Sequence, residues 1–426
     1  LLKNQGFVRY SKNTIWLLLQ YIVQMLTLLT VNIWIARYLG PEKYGVLNYI
    51  LAFISLFFSI SSLGLDSIII RDLVKYPENK YIYMGTSFWL RVMGSFLSFL
   101  IIFITNFFIH KETQIFIFVT IVAIANLFQV FNIIEFYFQS KVLGKIISIC
   151  KILQLIVSSL IKVFLLIIKA NLFWFVFEYL INQILLTIFQ FIAYIYEDKK
   201  NINFFKYFNI HKAKIMLKDG LPLLLAGISV TVYMRIDQVM IKYMLTEKDV
   251  GLYSVSVKLS ELWYFIPSIL VSSLAPALIN AKKVSNELYY QRLSRFYSLM
   301  WWLAISVGVI INIFSKLIIK ILYGEDFIES SYILNIYIWA SIPVFLGMAS
   351  SQYLINENYT DISLYRSIIG GIVNVILNLI LIPLYGIKGA ALATLISYSI
   401  TTGFIVFIPK TSKHFFLMIK AVIPKL

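Results

Sequence analysis

The side chains that could do chemistry in this chain are ionisable groups set inside otherwise apolar stretches. The basic ones are Arg91, Lys151, Lys162, Arg235 and Lys258; the acidic ones are Glu135, Glu178, Asp237 and Glu261. In a membrane such a group costs roughly 2.5–3.5 kcal/mol on insertion scales. It therefore faces a bundle interior or a water-filled cavity, pairs with an opposite charge, or handles an ion or a charged substrate. At 1.5 Å rise per residue, Asp237 lies ~10 Å and Lys258 ~9 Å from one membrane face, with Arg235 and Glu261 slightly deeper. Two acids and two bases thus share one layer, and Lys258 and Glu261, three apart, share one helix face. Lys162 and Glu178 are depth-matched in the same way and are candidates for an ion pair or for coupling. Such sets either fix packing as interhelical ion pairs, or line a hydrated cavity that binds an anionic group or exchanges a proton. Arg91 lies ~15 Å deep with no carboxylate at its level, so it is expected to face water or an anionic ligand. Lys151 and Glu135 fall near a boundary, where both can snorkel.

Other chemistries find no support. Cys150 is the one cysteine, which excludes a disulfide framework and a multi-cysteine metal site. His110, His211 and His414 are scattered through polar connections, so no histidine metal cluster is expected. There is no phosphate-binding G-x-x-x-x-G-K-[ST] loop and no nucleophile–base constellation; Gly370-Gly371 reads as close packing. The chain is not expected to be an enzyme.

The elements that hold these charges are membrane spans. Hydrophobic residues make up 60% of the 426 and charged ones 13%, against ~25% in soluble proteins. A fold of this length cannot bury so much apolar surface in water. Runs of ~20 apolar residues predict twelve spans, at 14–36, 46–65, 81–109, 115–138, 146–168, 172–196, 221–244, 252–279, 293–319, 332–355, 364–385 and 387–408. The fold class is an all-α integral membrane protein of about twelve helices, in two pseudo-repeated six-helix lobes around a central cavity. Residues 1–196 form the first lobe, 197–219 a polar cytoplasmic linker, and 220–426 the second lobe with a short basic tail.

The net charge of +17 follows from topology and not from nucleic acid. Lys and Arg concentrate at the N-terminus (Lys3, Arg9, Lys12), in the even-numbered connections (among them Arg366, between spans ten and eleven) and in the tail, which places both termini in the cytoplasm. A weak repeat joins the halves. Glu42-Lys43 precedes Gly45 after span one, and Glu247-Lys248 precedes Gly251 after span seven. Duplicated halves of this kind are a common plan of secondary transporters. Pro222, Pro267, Pro276, Pro343 and Pro383 all lie beyond the linker, which makes the second half the more deformable. Trp16, Trp34, Trp263, Trp301 and Trp302 near span ends read as interface anchors.

Several motifs form one pattern across nearly the whole chain. They are Tyr44-Gly45 to Tyr49, the segment from Arg235-Ile236-Asp237-Gln238 to Gly251-Leu252-Tyr253, and Gly386-Ile387-Lys388-Gly389-Ala390-Ala391-Leu392-Ala393-Thr394. The pattern resembles the polysaccharide transporter family, the O-antigen flippases of the multidrug/oligosaccharidyl-lipid/polysaccharide flippase superfamily. The resemblance implies a flippase that moves an undecaprenyl-pyrophosphate-linked oligosaccharide repeat unit across the bacterial inner membrane by alternating access. It implies a proton or sodium gradient in place of a cofactor, contact with membrane lipid, and a polysaccharide polymerase and a chain-length regulator as partners. By matching position it makes Arg235 and Asp237 cavity residues; Arg91, Lys258 and Glu261 join them on depth and charge alone. Span one carries no acid between Thr14 and Ala36, a departure that weakens ion coupling in the first half. The competing readings are a multidrug exporter with an acid-rich cavity, a peptidoglycan-precursor flippase with two extra helices, and a glycosyltransferase or polymerase with a large catalytic outer loop.

Overall fold

The computed structural model describes residues 5–198, 203–357 and 359–422. Leu1, Lys3, Lys199, Lys200 and Lys425 lie outside the described residues. Among those described, every element is helical. The helices are α1 (Gln5–Thr27), α2 (Ile33–Ser55), α3 (Phe58–Ser62), α4 (Asp66–Lys75), α5 (Lys80–Ile109), α6 (Thr113–Leu127), α7 (Ile133–Ser140), α8 (Gly144–Ile167) and α9 (Leu172–Glu197). They continue with α10 (Ile210–Met244), α11 (Glu247–Glu261), α12 (Phe265–Val284), α13 (Asn286–Tyr323), α14 (Ser330–Tyr337), α15 (Ser341–Asn356), α16 (Thr360–Tyr385), α17 (Ile387–Gly403) and α18 (Pro409–Val422).

Eleven helical segments among the described residues are long and apolar enough to cross a membrane. The first, Ile15–Ser55, has 41 residues, about twice the ~20 a crossing needs. It holds two expected spans: after a π-helical turn at Leu28–Asn32 the chain leaves helical geometry at Gly40 (φ 70, ψ 172), just before Pro41. The left-handed φ suits glycine, and the proline that follows cannot donate to the preceding turn. Helix α2 ends at Ser55, and after a turn at Leu56-Phe57 the short helix α3 carries the apolar run on to Ser62, near the expected end at Leu65. Leu63 (φ 52) and Gly64 (φ 66) then turn the chain before α4, so 56–65 is apolar without being a continuous helix.

The chain forms two compact units, residues 1–39 with 50–228 and residues 40–49 with 229–426. In the first, one core cluster joins α4, α7, the start of α5, the end of α9 and the start of α10 around Tyr137, Phe138, Tyr194 and Phe204. From the segment 197–219, expected as a linker, the described residues Phe204, Ala213 and Met216 are part of this core. Phe204 is fully buried, Ala213 and Met216 nearly so, because an apolar face survives between the lysines. Gly85 of α5 permits this docking, since a side chain there would meet the carbonyls of Phe204 and Tyr207. Pro222 lies inside α10 instead of opening a span, and it belongs to the first unit. The prolines are thus divided between the units.

In the second unit a core cluster binds α12, α13, α15 and α18 through Phe296, Tyr297, Phe345, Tyr353 and Met418. The two glycines of the sequence repeat meet each other's turns here. A Cβ on Gly45 would strike the carbonyl of Glu247, and one on Gly251 the carbonyl of Pro41. Each glycine lies four residues after the residue that receives the other, so the contact is symmetric and needs bare backbone on both sides.

Candidate functional site

Arg235 and Asp237 stand two residues apart on α10, about 200° around the helix, so they look toward different neighbours. Arg235 forks onto Glu261 at the end of α11, with Nη1–Oε1 3.1 Å and Nη2–Oε2 3.0 Å. This bidentate geometry is the strong form of an Arg–carboxylate pair. Lys258, three residues before Glu261, does not pair with Asp237. Its Nζ donates to the Tyr44 hydroxyl at 2.8 Å and lies 4.7 Å from that ring's centroid. The four charges that share a layer therefore make one ion pair, because depth matched all four while helix azimuth separated Asp237 from the rest.

Asp237 is 2% exposed and sits in a neutral shell. Asn378 Nδ2 donates to its Oδ1 at 2.6 Å, the Tyr253 hydroxyl to its Oδ2 at 2.6 Å, and Thr394 closes a further hydrogen bond. Asn374 extends the network, accepting from Asn378 at 3.1 Å and donating to Ser397 at 3.1 Å. Asn378 Oδ1 has no hydrogen-bond partner. Helices α10, α11, α16 and α17 thus converge on one carboxylate surrounded by amide and hydroxyl groups, with no basic group paired to it among the described residues. Such a group can take up a proton, or share its charge with a small hard cation held by oxygens.

The first unit treats its charges differently. Arg91, 1% exposed, is not alone: it forms an ion pair with Asp66 at the start of α4 and lies 5.2 Å from the Phe136 ring. The expectation of an unpartnered cation failed because the turn at Leu63 and Gly64 brings Asp66, the first residue of α4, to Arg91. Lys151 and Glu135 do not snorkel apart; they pair at 2.6 Å, Gln190 donates to the same carboxylate at 3.2 Å, and both line a cavity of about 360 Å³ with Asn13 and Gln20. Lys162 and Glu178 pair at 3.4 Å, one of the two roles their matched depths allowed, and Ser158 donates to Glu178 at 2.5 Å.

Beyond the spans, Asp198 gathers Lys80, Tyr81 at 2.9 Å and Tyr194 at 3.1 Å. Burial works against its charge, but these donors outweigh it and hold the carboxyl below the usual range. His414 on α18 stacks on Tyr353 with centroids 3.4 Å apart and bonds the Tyr297 hydroxyl at 2.6 Å. Burial, helped by the nearby Arg366 charge, pushes its pKa down to about 3, so the ring is neutral. Arg366 itself was read as a connection residue, yet α16 starts at Thr360 and buries it. The asparagines, Thr394 and Asp66 were also missed. Neutral polar residues carry no charge signal, but Asn374 and Asn378, four apart in an apolar run, mark one helix face that could have been noticed.

Two units of membrane-spanning helices, with hydrogen-bonded charges buried inside each, define a multi-pass membrane protein with a transporter fold. Residues 10–282, more than half of the chain, match the family described as "Polysaccharide biosynthesis protein", and the chain belongs to that family. A relative from Haloferax volcanii, "Probable low-salt glycan biosynthesis flippase Agl15", is 29% identical over 175 residues. That match spans 40% of this chain and 36% of the relative, little more than a third of its length. The fold is similar to an inward-facing multidrug resistance MATE family transporter of the MOP superfamily, at a TM-score of 0.73 and 14% identity over 93% of this chain and 96% of that one. It is similar also to the lipid II flippase MurJ in its inward closed conformation, at 0.68 and 18% over 95% and 91%. A third similar structure is a MOP superfamily transporter from Pyrococcus furiosus, at 0.64 and 15% over 96% of each chain.

Proposed function

We propose that this protein is a flippase for a lipid-linked oligosaccharide, working by alternating access and driven by an ion gradient. The substrate is an undecaprenyl-pyrophosphate-linked repeat unit for O-antigen or a similar surface polysaccharide. The membrane is the bacterial inner membrane with both termini in the cytoplasm, as the distribution of Lys and Arg supports. A polysaccharide polymerase and a chain-length regulator are the partners that would consume its product.

The observation that carries the reading is the sign of the unbalanced charge in the spans. Each embedded acid but Asp237 has a basic partner, whereas Arg366 has no acid and Lys258 rests on a tyrosine hydroxyl. A basic surplus suits a pyrophosphate–sugar head group and disfavours the cationic drugs of a multidrug exporter. Asp237 is the coupling group: its carboxylate, Asn378 Oδ1, Asn374 Oδ1 and Thr394 Oγ1 offer the oxygens that would hold a sodium ion, or else the carboxylate carries a proton. The Arg235–Glu261 pair lies beside it as the gate whose opening the ion controls.

The test is complementation of a host deleted for the gene, with wild type, Asp237→Ala and Arg235→Ala, each checked for arrival in the membrane. Loss of surface polysaccharide, with lipid-linked repeat units accumulating on the cytoplasmic side and at least tenfold weaker rescue by Asp237→Ala, is the expected result. Unchanged surface polysaccharide in a deletion host lacking any redundant transporter would refute the reading.

A further inference from the structure

The second unit contains a cavity of about 160 Å³ into which, of the charges above, Arg366 alone enters. Arg366, Ser351, Tyr264, Tyr398 and Thr401 line it, with Met348 on its apolar wall. Arg366 is 6% exposed. One arm of its guanidinium, Nη2, is used inside the protein: it donates to Ser351 Oγ and to the Gly347 carbonyl at 3.4 Å. Nε and Nη1 have no acceptor. The hydroxyls of Tyr264 and Tyr398 have none either. The residues that carry these unused donors, on α16, α17 and the turn between α11 and α12, therefore line one cavity.

A lone unsatisfied buried group costs about 1–3 kcal/mol, and a charged one more. Several around one hole, without an acid among them, describe a site whose acceptor comes from outside the protein. The required ligand is anionic, rich in acceptor oxygens and small at its charged end. A carboxylate would occupy two donors; a phosphoryl group presents three oxygens and matches the planar fork of arginine. We propose that this cavity is a phosphoryl-binding subsite, in which Arg366 is the anion-binding residue and Tyr264 and Tyr398 complete the cradle. The proposal rests on the flippase reading for its preferred ligand, the pyrophosphate of a polyprenyl carrier. The same chemistry would admit the phosphate of a membrane phospholipid.

Tyr398→Phe provides a variant that keeps the fold, because the hydroxyl it removes has no partner in the protein. The experiment takes the purified full-length chain in detergent and measures binding by native mass spectrometry. The probes are geranylgeranyl pyrophosphate, geranylgeraniol and phosphatidylglycerol, against wild type, Arg366→Gln, Arg366→Lys and Tyr398→Phe. Wild type is expected to bind the pyrophosphate at least tenfold more tightly than the alcohol. Arg366→Gln should abolish that ratio, Arg366→Lys restore part of it, and Tyr398→Phe lower it severalfold, with alcohol binding unchanged throughout. Phosphatidylglycerol binding with the same dependence on Arg366 would support the subsite and assign a headgroup as its occupant. A pyrophosphate preference retained in full by both Arg366→Gln and Tyr398→Phe would overturn the subsite while leaving the flippase reading standing. A wild type that prefers neither phosphorylated probe would sink both.

Discussion

The two units handle membrane-embedded charge in opposite ways. In the first, Arg91 meets Asp66, Lys151 meets Glu135 and Lys162 meets Glu178. In the second, Arg235 meets Glu261, but Asp237, Lys258 and Arg366 rest on neutral groups. A buried pair is weak evidence for stability, and its removal in one piece is often tolerated. A buried charge held only by neutral dipoles is costly to keep and is retained where an ion or ligand completes it. Under the proposed function, the contrast gives the pairs of the first unit a packing role and leaves the transport chemistry to the second.

The comparison can be broken most forcefully at Glu178. Lys162→Met leaves Glu178 with Ser158 alone and should destabilise the protein by about 3 kcal/mol. The double variant Lys162→Met with Glu178→Gln should recover most of that loss and retain transport, measured by thermal unfolding in detergent and by polysaccharide rescue. A stable double variant without transport would move the first unit's pairs into the mechanism. Next in size is the symmetric glycine contact of the second unit. Gly45→Ala or Gly251→Ala places a methyl group on a carbonyl and should cost about 1–3 kcal/mol. An unchanged melting temperature in both would show that the turns do not meet this closely.

His414 sharpens the comparison from outside the spans. Its folded pKa of about 3 lies below the ordinary value of 6.5, so the unfolded chain binds the proton first. The stabilisation is complete above the unfolded value and declines as pH falls toward the folded one. Between pH 6.5 and 5 the loss should be about 2 kcal/mol, and His414→Gln should flatten that part of the pH–stability curve. A pH profile shared by wild type and variant would place the sensitivity elsewhere. The smallest effect is expected at Arg71, which pairs with Asp72 at 2.9 Å and with Asp219 at 2.8 Å but is half exposed. Arg71→Ala should cost less than about 1 kcal/mol, and a double-mutant cycle with Asp219→Ala would detect any larger coupling.

Much of the fold was legible before any coordinate. Lipid as solvent, helices as the spanning element and the approximate span positions follow from apolar run length, because unsatisfied backbone in hydrocarbon leaves few alternatives. The Lys162–Glu178 and Arg235–Glu261 pairs were legible as matched depths. The repeat at Gly45 and Gly251 was visible as a short match, but its meaning, a mutual close approach, was not. The break within the second span, between α2 and α3, was not legible because Ser59, Ser61 and Ser62 sit among apolar residues. Their buried side chains and the turns at Leu63 and Gly64 interrupt a run that hydropathy alone reads as continuous.

The sequence by itself determined how deep each charge lies, since rise along a helix is a fixed 1.5 Å per residue. Only the tertiary structure decided which neighbour each charge faces. That choice turned Asp237 away from Lys258 into a shell of asparagine, threonine and tyrosine, and returned Asp66 to Arg91. It also buried Arg366 beside a cavity with three of its five N–H donors unused. Depth is a property of one helix, whereas azimuth acquires meaning only when other helices pack around it.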